Sequence, residues 1–336
     1  EGRYAELGEK LEVLREKTRA LGLEATKSSL LAETHRVDFW DDPPRAARTM
    51  TEIYRLERLL DSADRVAKRV EDAGAFLAGS RERADARRLR QLSDRLGEVE
   101  SHLDVVAYSL HATEGVDRCD AYIAISLIDA EPAEDDPVGL LAGMYAGWAN
   151  SKGFAVTTID EDPIDARRTR RTTLFVDGVA VYGVLASEEG VHEFAYGRGD
   201  DRRSRLRKYA KVEVLPALEE EGPALAASDV EFSVELARGR GRRIPTLRSL
   251  ARLVHGPTQI RVEARTDLEA EPLRAHLVEV LRARLARRDR PAPDGHEPVR
   301  RYVLGPERSV RDSRKGTGSV GLDDLFGGAL DEFLLV

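Results

Sequence analysis

Between residues 89 and 110, apolar side chains recur at alternating steps of three and four positions along the chain. The residues of this series are Leu89, Leu92, Leu96, Val99, Leu103, Val106 and Leu110. Because an α-helix turns once in about 3.6 residues, this spacing places all of them on one face, as in the seam of a coiled coil. The pattern predicts a long amphipathic helix that packs against other helices.

Two helical patterns precede this series and complete a predicted helical, coiled-coil-like domain over residues 1–115. The first helix carries Leu7, Leu11, Leu14 and Leu21 on one face. The second follows a turn in which Asp41 or Asp42 can cap the helix, while two prolines occupy its first turn. The residues that we expect this second helix to bury are Ala47, Met50, Ile53 or Tyr54, and Leu60.

After about residue 116 the apolar period changes from that of a helix to that of a strand. Ala121–Ile128 alternates at period two and is rich in β-branched side chains, which predicts a strand. Val138–Lys152 is an amphipathic helix that Gly153 closes as a C-cap residue, and Phe154–Ile159 is a second strand. These elements predict an α+β domain over residues 116–222.

A hairpin is predicted further along this domain. The dipeptide Asp177-Gly178 stands between two apolar runs, Leu174–Val176 and Val179–Leu185. Asp-Gly between alternating apolar runs is the strongest short signal for a β-hairpin.

A small strand-rich domain with a C-terminal helix is predicted over residues 223–290. Its three strand-like runs are Val230–Ala237, Ser249–Val254 and Gln259–Ala264. The helix follows at Glu271–Arg288, and residues 291–297 form a linker with prolines and a glycine. Beyond the linker, the segment 298–336 holds a predicted strand at Val299–Val303 and a final short helix.

Composition mainly excludes classes of protein. The 336 residues are 41% hydrophobic, enough for two or three domains, and the formal net charge of −8 excludes a uniformly basic nucleic-acid binder. Cys119 is the only cysteine, so a single chain can form no disulfide and no cysteine zinc site, which fits a reducing compartment. No apolar run approaches the roughly 18 residues of a transmembrane helix. We therefore expect a cytoplasmic protein without a membrane partner, and we expect it to be a monomer.

The chain begins at Glu1 within a helical pattern, and we expect its natural start to lie upstream.

Familiar catalytic and cofactor motifs are missing from the sequence. It contains no P-loop, no dinucleotide fingerprint and no nucleophile elbow. Its seven histidines are scattered, which argues against a metal site. We expect His192 and His255 to be packed, hydrogen-bonded residues, and we expect no cofactor.

Basic residues cluster in two segments that suit a phosphate-rich partner. Arginine offers phosphate a bidentate donor pair, and glycine lets the backbone approach closely. The candidate RNA-binding residues are Arg238, Arg240, Arg242 and Arg243 in the first segment, and Arg198, Arg202, Arg203, Arg205, Arg207 and Lys208 in the second. The alternative is a solvated loop for the first segment and a charged strand or helix face for the second.

Five stretches of the sequence carry a family resemblance. They are Phe39-Trp40-Asp41-Asp42-Pro43, Met144-Tyr145-Ala146-Gly147-Trp148-Ala149 with Lys152-Gly153-Phe154, Glu189-Gly190-Val191-His192, Arg300-Arg301-Tyr302-Val303-Leu304, and Leu330-Asp331-Glu332-Phe333. Together they resemble bacterial class I peptide chain release factors, in particular the type-two branch, in the family's order and at its spacing over essentially the whole chain.

The resemblance implies a multidomain α+β architecture. A helical first domain precedes an α+β superdomain that in the family reads the stop codon. The segment from about Val299 is expected to return and pack on residues 116–222. A strand-rich third domain carries a Gly-Gly-Gln tip that triggers hydrolysis of peptidyl-tRNA in the family. The implied partner is the ribosome, through its RNA, the tRNA in the P site and the mRNA.

Both motifs that carry the family's activity have changed in this chain. Aligned back from His255-Gly256-Pro257-Thr258, the Gly-Gly-Gln positions hold Arg240, Gly241 and Arg242. Arg240 restores a Cβ where glycine permits unusual backbone angles, and Arg242 puts a long cation in place of a compact amide that orients water. The Ser-Pro-Phe tripeptide of the type-two branch is also missing, and Arg198-Gly199-Asp200 lies near its place. We therefore expect no efficient hydrolysis and assign no catalytic residue.

Three functions remain open from the sequence. The first is a release-factor homologue that binds the ribosomal A site in termination, regulation or rescue without efficient hydrolysis. The second is an RNA-binding protein that acts off the ribosome on mRNA or tRNA. The third is an active release factor with altered codon specificity.

Overall fold

The computed structural model describes residues 2–80, 86–111, 115–129, 135–196, 206–218, 223, 225–238, 247–288, 297–305 and 308–334. The chain forms two compact units, Glu1–Arg118 (with Val336) and Cys119–Leu335.

Four helices build the first unit. They are α1 (Gly2–Ala20), α2 (Leu23–Thr34), α3 (Pro43–Ser80) and α4 (Ala86–His111). The predicted seam of α4 is buried from Leu92 to Leu110 and packs with one stripe from α1 and one from α3, whereas Leu89 in the first turn of α4 is 56% exposed. The core residues are Leu7, Leu11, Leu14, Val66, Val70, Ala73, Leu92, Leu96, Val99, Leu103, Val106 and Leu110.

Two details of the helical prediction are wrong. Leu21 is exposed, because α1 ends at Ala20 and the chain turns at Gly22, whose φ of 61° lies in the left-handed region. Met50 is also exposed, and α3 buries Ala46 and Leu56 instead; of the two alternatives Ile53 and Tyr54, Ile53 is the buried one. This part of α3 packs against α2 and the turn Phe39–Asp41. The spacing of apolar residues in α3 does not reveal where these two neighbours lie. The predicted cap is correct, since the backbone N–H of Arg45 donates to Asp42 at 3.2 Å.

An eight-stranded sheet forms the larger part of the second unit. Its strands are β1 (Ala121–Leu127), β2 (Ala155–Pro163), β3 (Thr169–Asp177), β4 (Gly190–Tyr196), β5 (Leu206–Pro216), β9 (Arg300–Val303), β10 (Ser309–Asp312) and β11 (Gly316–Thr317). They lie in the order β11-β10-β9-β4-β5-β1-β3-β2. Neighbours are antiparallel except β4 and β9, which run parallel. The C-terminal segment therefore contributes three strands to the sheet that begins at residue 121.

One apolar helix, α5 (Pro137–Ser151), lies against this sheet and against a short C-terminal helix, α8 (Leu322–Phe326). Its Leu141, Met144, Tyr145 and Trp148 are fully buried. The close contact with the C-terminal segment depends on Gly147, because a Cβ there would lie 2.3 Å from the carbonyl oxygen of Gly327. Asp331 then accepts hydrogen bonds from Trp148 and Lys152, both at 2.9 Å.

The predicted hairpin about Asp177-Gly178 is wrong. The run after it forms a short helix, α6 (Val181–Leu185), and β3 pairs with β1 and β2. A type I′ turn needs positive φ at both central residues, and neither Asp177 nor Gly178 has it. Gly178 instead permits packing, since a Cβ there would lie 2.4 Å from Cγ of Phe154.

A three-stranded antiparallel sheet and one helix complete the second unit. The strands are β6 (Val230–Arg238), β7 (Leu247–His255) and β8 (Ile260–Thr266), and the helix is α7 (Ala270–Arg287). The strand order is β6-β7-β8, so β6 is an edge strand, and α7 packs on β7 and β8. The helix also reaches the larger sheet, where Arg284 donates to Glu213 on β5 at 2.8 Å.

Candidate nucleic-acid interface

Two antiparallel hairpins hold the segments that are predicted to contact RNA. Strands β4 and β5 pair from Gly190↔Val212 to Tyr196↔Leu206 and bound residues 197–205. Strands β6 and β7 pair from Val230↔His255 to Arg238↔Leu247 and bound residues 239–246. The structure thus fixes the strands on both sides of each segment.

Most of the predicted site residues lie outside the described residues. These are Arg198, Arg202, Arg203, Arg205, Arg240, Gly241, Arg242 and Arg243. For Arg238, only the backbone at the end of β6 is described, where it pairs with Leu247. The assignment of these residues to RNA binding stays a prediction.

The two remaining predicted residues, Arg207 and Lys208, lie on opposite faces of β5. Arg207 has half of its side chain exposed and approaches Glu193 at 3.5 Å. Lys208 is opposite Phe194 in the β4–β5 register and is only 7% exposed. Because successive strand residues point to opposite faces, the hairpin offers Arg207 to solvent and keeps Lys208 inside.

Glu193 is a feature of this hairpin that sequence reasoning missed. Its side chain is 3% exposed, and it lies between Arg207 of β5 and Arg301 of β9. Arg301 donates to Oε2 of Glu193 at 2.9 Å, while Oε1 has no hydrogen-bond partner in the structure. An acidic residue inside a strand of otherwise apolar alternation was the available signal. The carboxylate holds two half-exposed arginines on one face of the sheet.

The opposite face of β4 is packed and aromatic. His192 is fully buried, as expected from the sequence; Tyr302 lies 3.0 Å from its Nδ1 and the carbonyl of Glu188 lies 3.0 Å from its Nε2. Burial lowers the pKa of His192 to about 4, so the ring is neutral at pH 7. Because a carbonyl only accepts, Nε2 carries the proton and Nδ1 accepts from the tyrosine hydroxyl. His192 therefore positions β9 against β4.

A buried network of ions fixes the same joint, and its members come from distant parts of the chain. Arg300 donates two hydrogen bonds of 2.8 Å to Glu188 and bonds of 2.9 and 3.1 Å to Asp312. Arg314 donates to the same two carboxylates. Burial alone would raise the pKa of Asp312, but hydrogen bonds from Arg314 and the nearby cations outweigh it and lower this pKa well below its ordinary value. The network rigidly joins β9 and β10 to the turn before β4.

The β6–β7 hairpin has a stem of mixed charge. Arg252 on β7 donates to Glu263 on β8 at 2.9 Å and lies 3.8 Å from Glu235 on β6. The guanidinium of Arg274 on α7 stacks 5.8 Å from the ring of Phe232. His255 closes the other end of the hairpin through a 2.7 Å contact between Nδ1 and the hydroxyl of Thr258, as a structural histidine does. The arginines and glutamates of the two strands balance, so the net positive charge of this hairpin comes from residues 238–243.

Within the described ranges, no three or more of His, Cys, Asp and Glu lie together in a way that could hold a metal ion. In the same part of the chain, no helix is long and apolar enough to cross a membrane.

Known proteins resemble this chain over most of its length. Residues 23–195 match the family described as PCRF domain. Peptide chain release factor 2 of Aliivibrio fischeri is 26% identical over 320 residues, which cover 90% of this chain and 87% of that protein. Peptide chain release factor 2 of Kineococcus radiotolerans is also 26% identical, over a match that covers 96% of this chain and 90% of that protein. Among solved structures, RF2 of Thermus thermophilus matches with a TM-score of 0.56 and 25% identity, over 94% of this chain and 95% of that one.

Proposed function

Since this chain belongs to the class I peptide chain release factors and is similar to release factor 2, we propose that it binds the ribosomal A site. It is a release-factor-like protein of translation termination. In our proposal it acts there, or in regulation or rescue of ribosomes, as a single chain and without efficient hydrolysis of peptidyl-tRNA.

One observation carries this proposal: the framework of the third domain is intact where its reactive tripeptide is replaced. Strands β6 and β7 pair in unbroken register up to Arg238↔Leu247. The segment that they bound holds Arg240, Gly241 and Arg242 at the Gly-Gly-Gln positions, and Gly-Gly-Gln occurs nowhere in the sequence. An ester at this tip would meet two guanidinium groups instead of a second glycine and an amide that orients the attacking water.

The charge of the tip supports RNA as its partner. In the described strands, Arg252 pairs with Glu235 and Glu263, whereas Arg238–Arg243 holds four arginines and no acid. Arginine forms bidentate contacts with phosphate, and positive charge gathered in one short segment directs an acidic protein toward a polyanion. A tip that has lost hydrolysis still retains this attraction.

Sedimentation with purified ribosomes tests the binding part of the proposal. We expect the chain to pellet with ribosomes at physiological salt and to be displaced by a release factor that occupies the A site. Absence from the pellet, or co-pelleting that such a factor does not reduce, contradicts A-site binding.

Restoring the tripeptide tests the hydrolytic part. We expect the double variant Arg240→Gly, Arg242→Gln to release formyl-methionine from programmed ribosomes at least about tenfold faster than the unmodified chain, since each orientation or charge-stabilising contribution is worth tenfold or more. The matched control is Arg238→Gly, Arg243→Gln, which removes the same charge from the same segment without restoring the motif. If the control gains as much as the test variant, charge and not the tripeptide limits release.

The two other functions differ in their measurable outcomes. A protein that acts off the ribosome would crosslink in cells mainly to one transcript or tRNA and not to ribosomal RNA. An active factor with altered codon specificity would release peptide without any substitution, and Arg242→Gln alone would then lower that activity.

A further inference from the structure

An exposed row of cations crosses one face of the larger sheet, from β10 to β5. Arg311 on β10 lies opposite Arg301 on β9, and Arg301 lies opposite Glu193 on β4. Glu193 in turn lies opposite Tyr209 on β5, and Arg207 and Lys211 flank Tyr209 two positions away on the same face. We call Arg207, Lys211, Arg301 and Arg311 the basic strip.

The basic strip spans four adjacent strands and has an excess of positive charge. Adjacent strands are about 4.8 Å apart, so the strip is about 14 Å across from β10 to β5. All four cations are exposed, and the buried Glu193 is the acid that two of them, Arg207 and Arg301, share. The neighbouring acids Glu189 and Glu213 are each held by an arginine of α7. Beyond β9, Glu297 lines a depression of about 330 Å³ together with Arg301 and Arg311.

Two members of the strip have no partner in the structure. Their side chains, those of Arg311 and Lys211, form no hydrogen bond or ion pair with any other described residue. Arg311 also stands directly across from Arg301, and like charges in that position destabilise a sheet. The arrangement therefore carries a small cost in the free protein, which an anion that bridges both side chains removes.

We propose that the basic strip, which extends from Arg207 across β4 and β9 to β10, binds the sugar–phosphate backbone of ribosomal RNA. An RNA strand presents a row of regularly spaced negative charges, and it can lie along a flat face on which β10, β9 and β5 carry cations. Glu193 positions Arg207 and Arg301 and limits their mutual repulsion. The inference rests on the proposed ribosome binding and names a surface that contributes to it.

The test compares two double variants with the unmodified chain. Arg311→Gln, Lys211→Gln removes the two unpaired cations of the strip and leaves Glu193 with both of its arginines. The control is Arg167→Gln, Arg261→Gln, which removes two exposed arginines of the second unit whose side chains form no hydrogen bond or ion pair with other described residues. Equal urea midpoints for all three proteins establish that the variants are folded.

Binding to protein-free ribosomal RNA is measured by filter binding at about 50 to 200 mM salt. For the strip variant, we expect the slope of log K against log salt to fall in magnitude by about 2, or about 1 per lost phosphate contact, while the control keeps the original slope. The proposal is overturned if the strip variant keeps the slope, if both variants lose it equally, or if the unmodified chain does not bind this RNA. Pelleting with whole ribosomes is run in parallel. If the unmodified chain binds the RNA but does not pellet with ribosomes, A-site binding alone is rejected. If the strip variant stops pelleting while its RNA binding is unchanged, the strip has an acidic protein partner, and the strip proposal is rejected.

Discussion

Replacing Arg300 with methionine tests how the C-terminal segment is held in the larger sheet. Arg300 is fully buried, bonds to both Glu188 and Asp312, and has its guanidinium 4.5 Å from the centre of the Phe333 ring. Methionine retains most of the apolar stem and its contact with that ring. The substitution therefore removes one cation and leaves two fully buried carboxylates with Arg314 as the one cation that pairs with both among the described residues.

Removal of one partner from a buried ion pair costs about 3–5 kcal/mol, because a charge stays buried without compensation. We therefore expect the Arg300→Met variant to lose about 3–5 kcal/mol of the unfolding free energy of the second unit at pH 7. That amount is a large fraction of the stability of a typical domain.

The loss should depend on pH with a definite sign. Burial alone would raise the pKa of Glu188, but the charge of Arg300 outweighs it and lowers this pKa. In the unmodified chain, ionised Glu188 therefore stabilises the fold above its unfolded pKa, and this contribution is lost as pH falls through the folded pKa. Without Arg300, burial is the larger effect and the pKa of Glu188 in the folded variant exceeds its unfolded value. Protonation of Glu188 at low pH then restores part of the stability that the variant lost. The difference between the two proteins should shrink as pH falls from 7 toward about 4.

Urea unfolding followed by tryptophan fluorescence measures this difference. The chain has two tryptophans, and the buried Trp148 reports on the second unit once Trp40 in the first unit is replaced by phenylalanine. The control is Arg308→Met, which breaks an exposed pair with Asp323 and should cost no more than about 1 kcal/mol. A loss below about 1 kcal/mol for Arg300→Met, or a loss that stays constant with pH, would refute the assigned role of the network.

Two further predictions concern packing. Gly147→Ala should lower the unfolding free energy of the second unit by about 1–3 kcal/mol or more, because the added Cβ meets the Gly327 backbone at 2.3 Å. The control is Gly143→Ala in the same helix, whose added Cβ has its nearest neighbour at 3.7 Å and which should be neutral or stabilising. Urea unfolding of the two variants checks this, and equal losses would contradict the close helix contact. Leu103→Ala should cost the first unit about 2–5 kcal/mol, while Leu89→Ala at the 56% exposed end of the same seam should cost little. Thermal unfolding followed by circular dichroism separates the two outcomes, and similar midpoints would contradict the assigned core.

Local periodicity predicted those elements whose partners lie nearby or whose apolar face is long. The seam of α4 and the strands β6, β7 and β8 fall close to their predicted positions. Periodicity failed at Asp177-Gly178, where a turn signal was overridden by tertiary packing against Phe154. It also failed at Met50, because packing against α2, and not the apolar repeat within α3, determines which face of α3 is buried there.

The candidate interface was less accessible to sequence reasoning. Strand alternation would have separated Arg207 from Lys208 if the register of β5 had been known, but a run of mixed basic residues conceals it. The pairing of Arg300 with Glu188 joins residues 112 positions apart, and no local pattern encodes such a contact. The basic strip likewise exists only after β9 and β10 have joined β4 in one sheet. The family resemblance anticipated the return of the C-terminal segment but not the ions that hold it.

The most direct test of the central claim is a release assay in which ribosome occupancy is measured in the same samples. Ribosomes that carry formyl-methionyl-tRNA in the P site are saturated with the unmodified chain, and bound chain and released formyl-methionine are both quantified. The account predicts that the chain occupies the ribosomes while formyl-methionine stays on the tRNA at the rate of spontaneous hydrolysis. Release at a rate comparable to that of a release factor with Gly-Gly-Gln, at equal occupancy, would contradict the claim that Arg240-Gly241-Arg242 has replaced a reactive tip with a binding one.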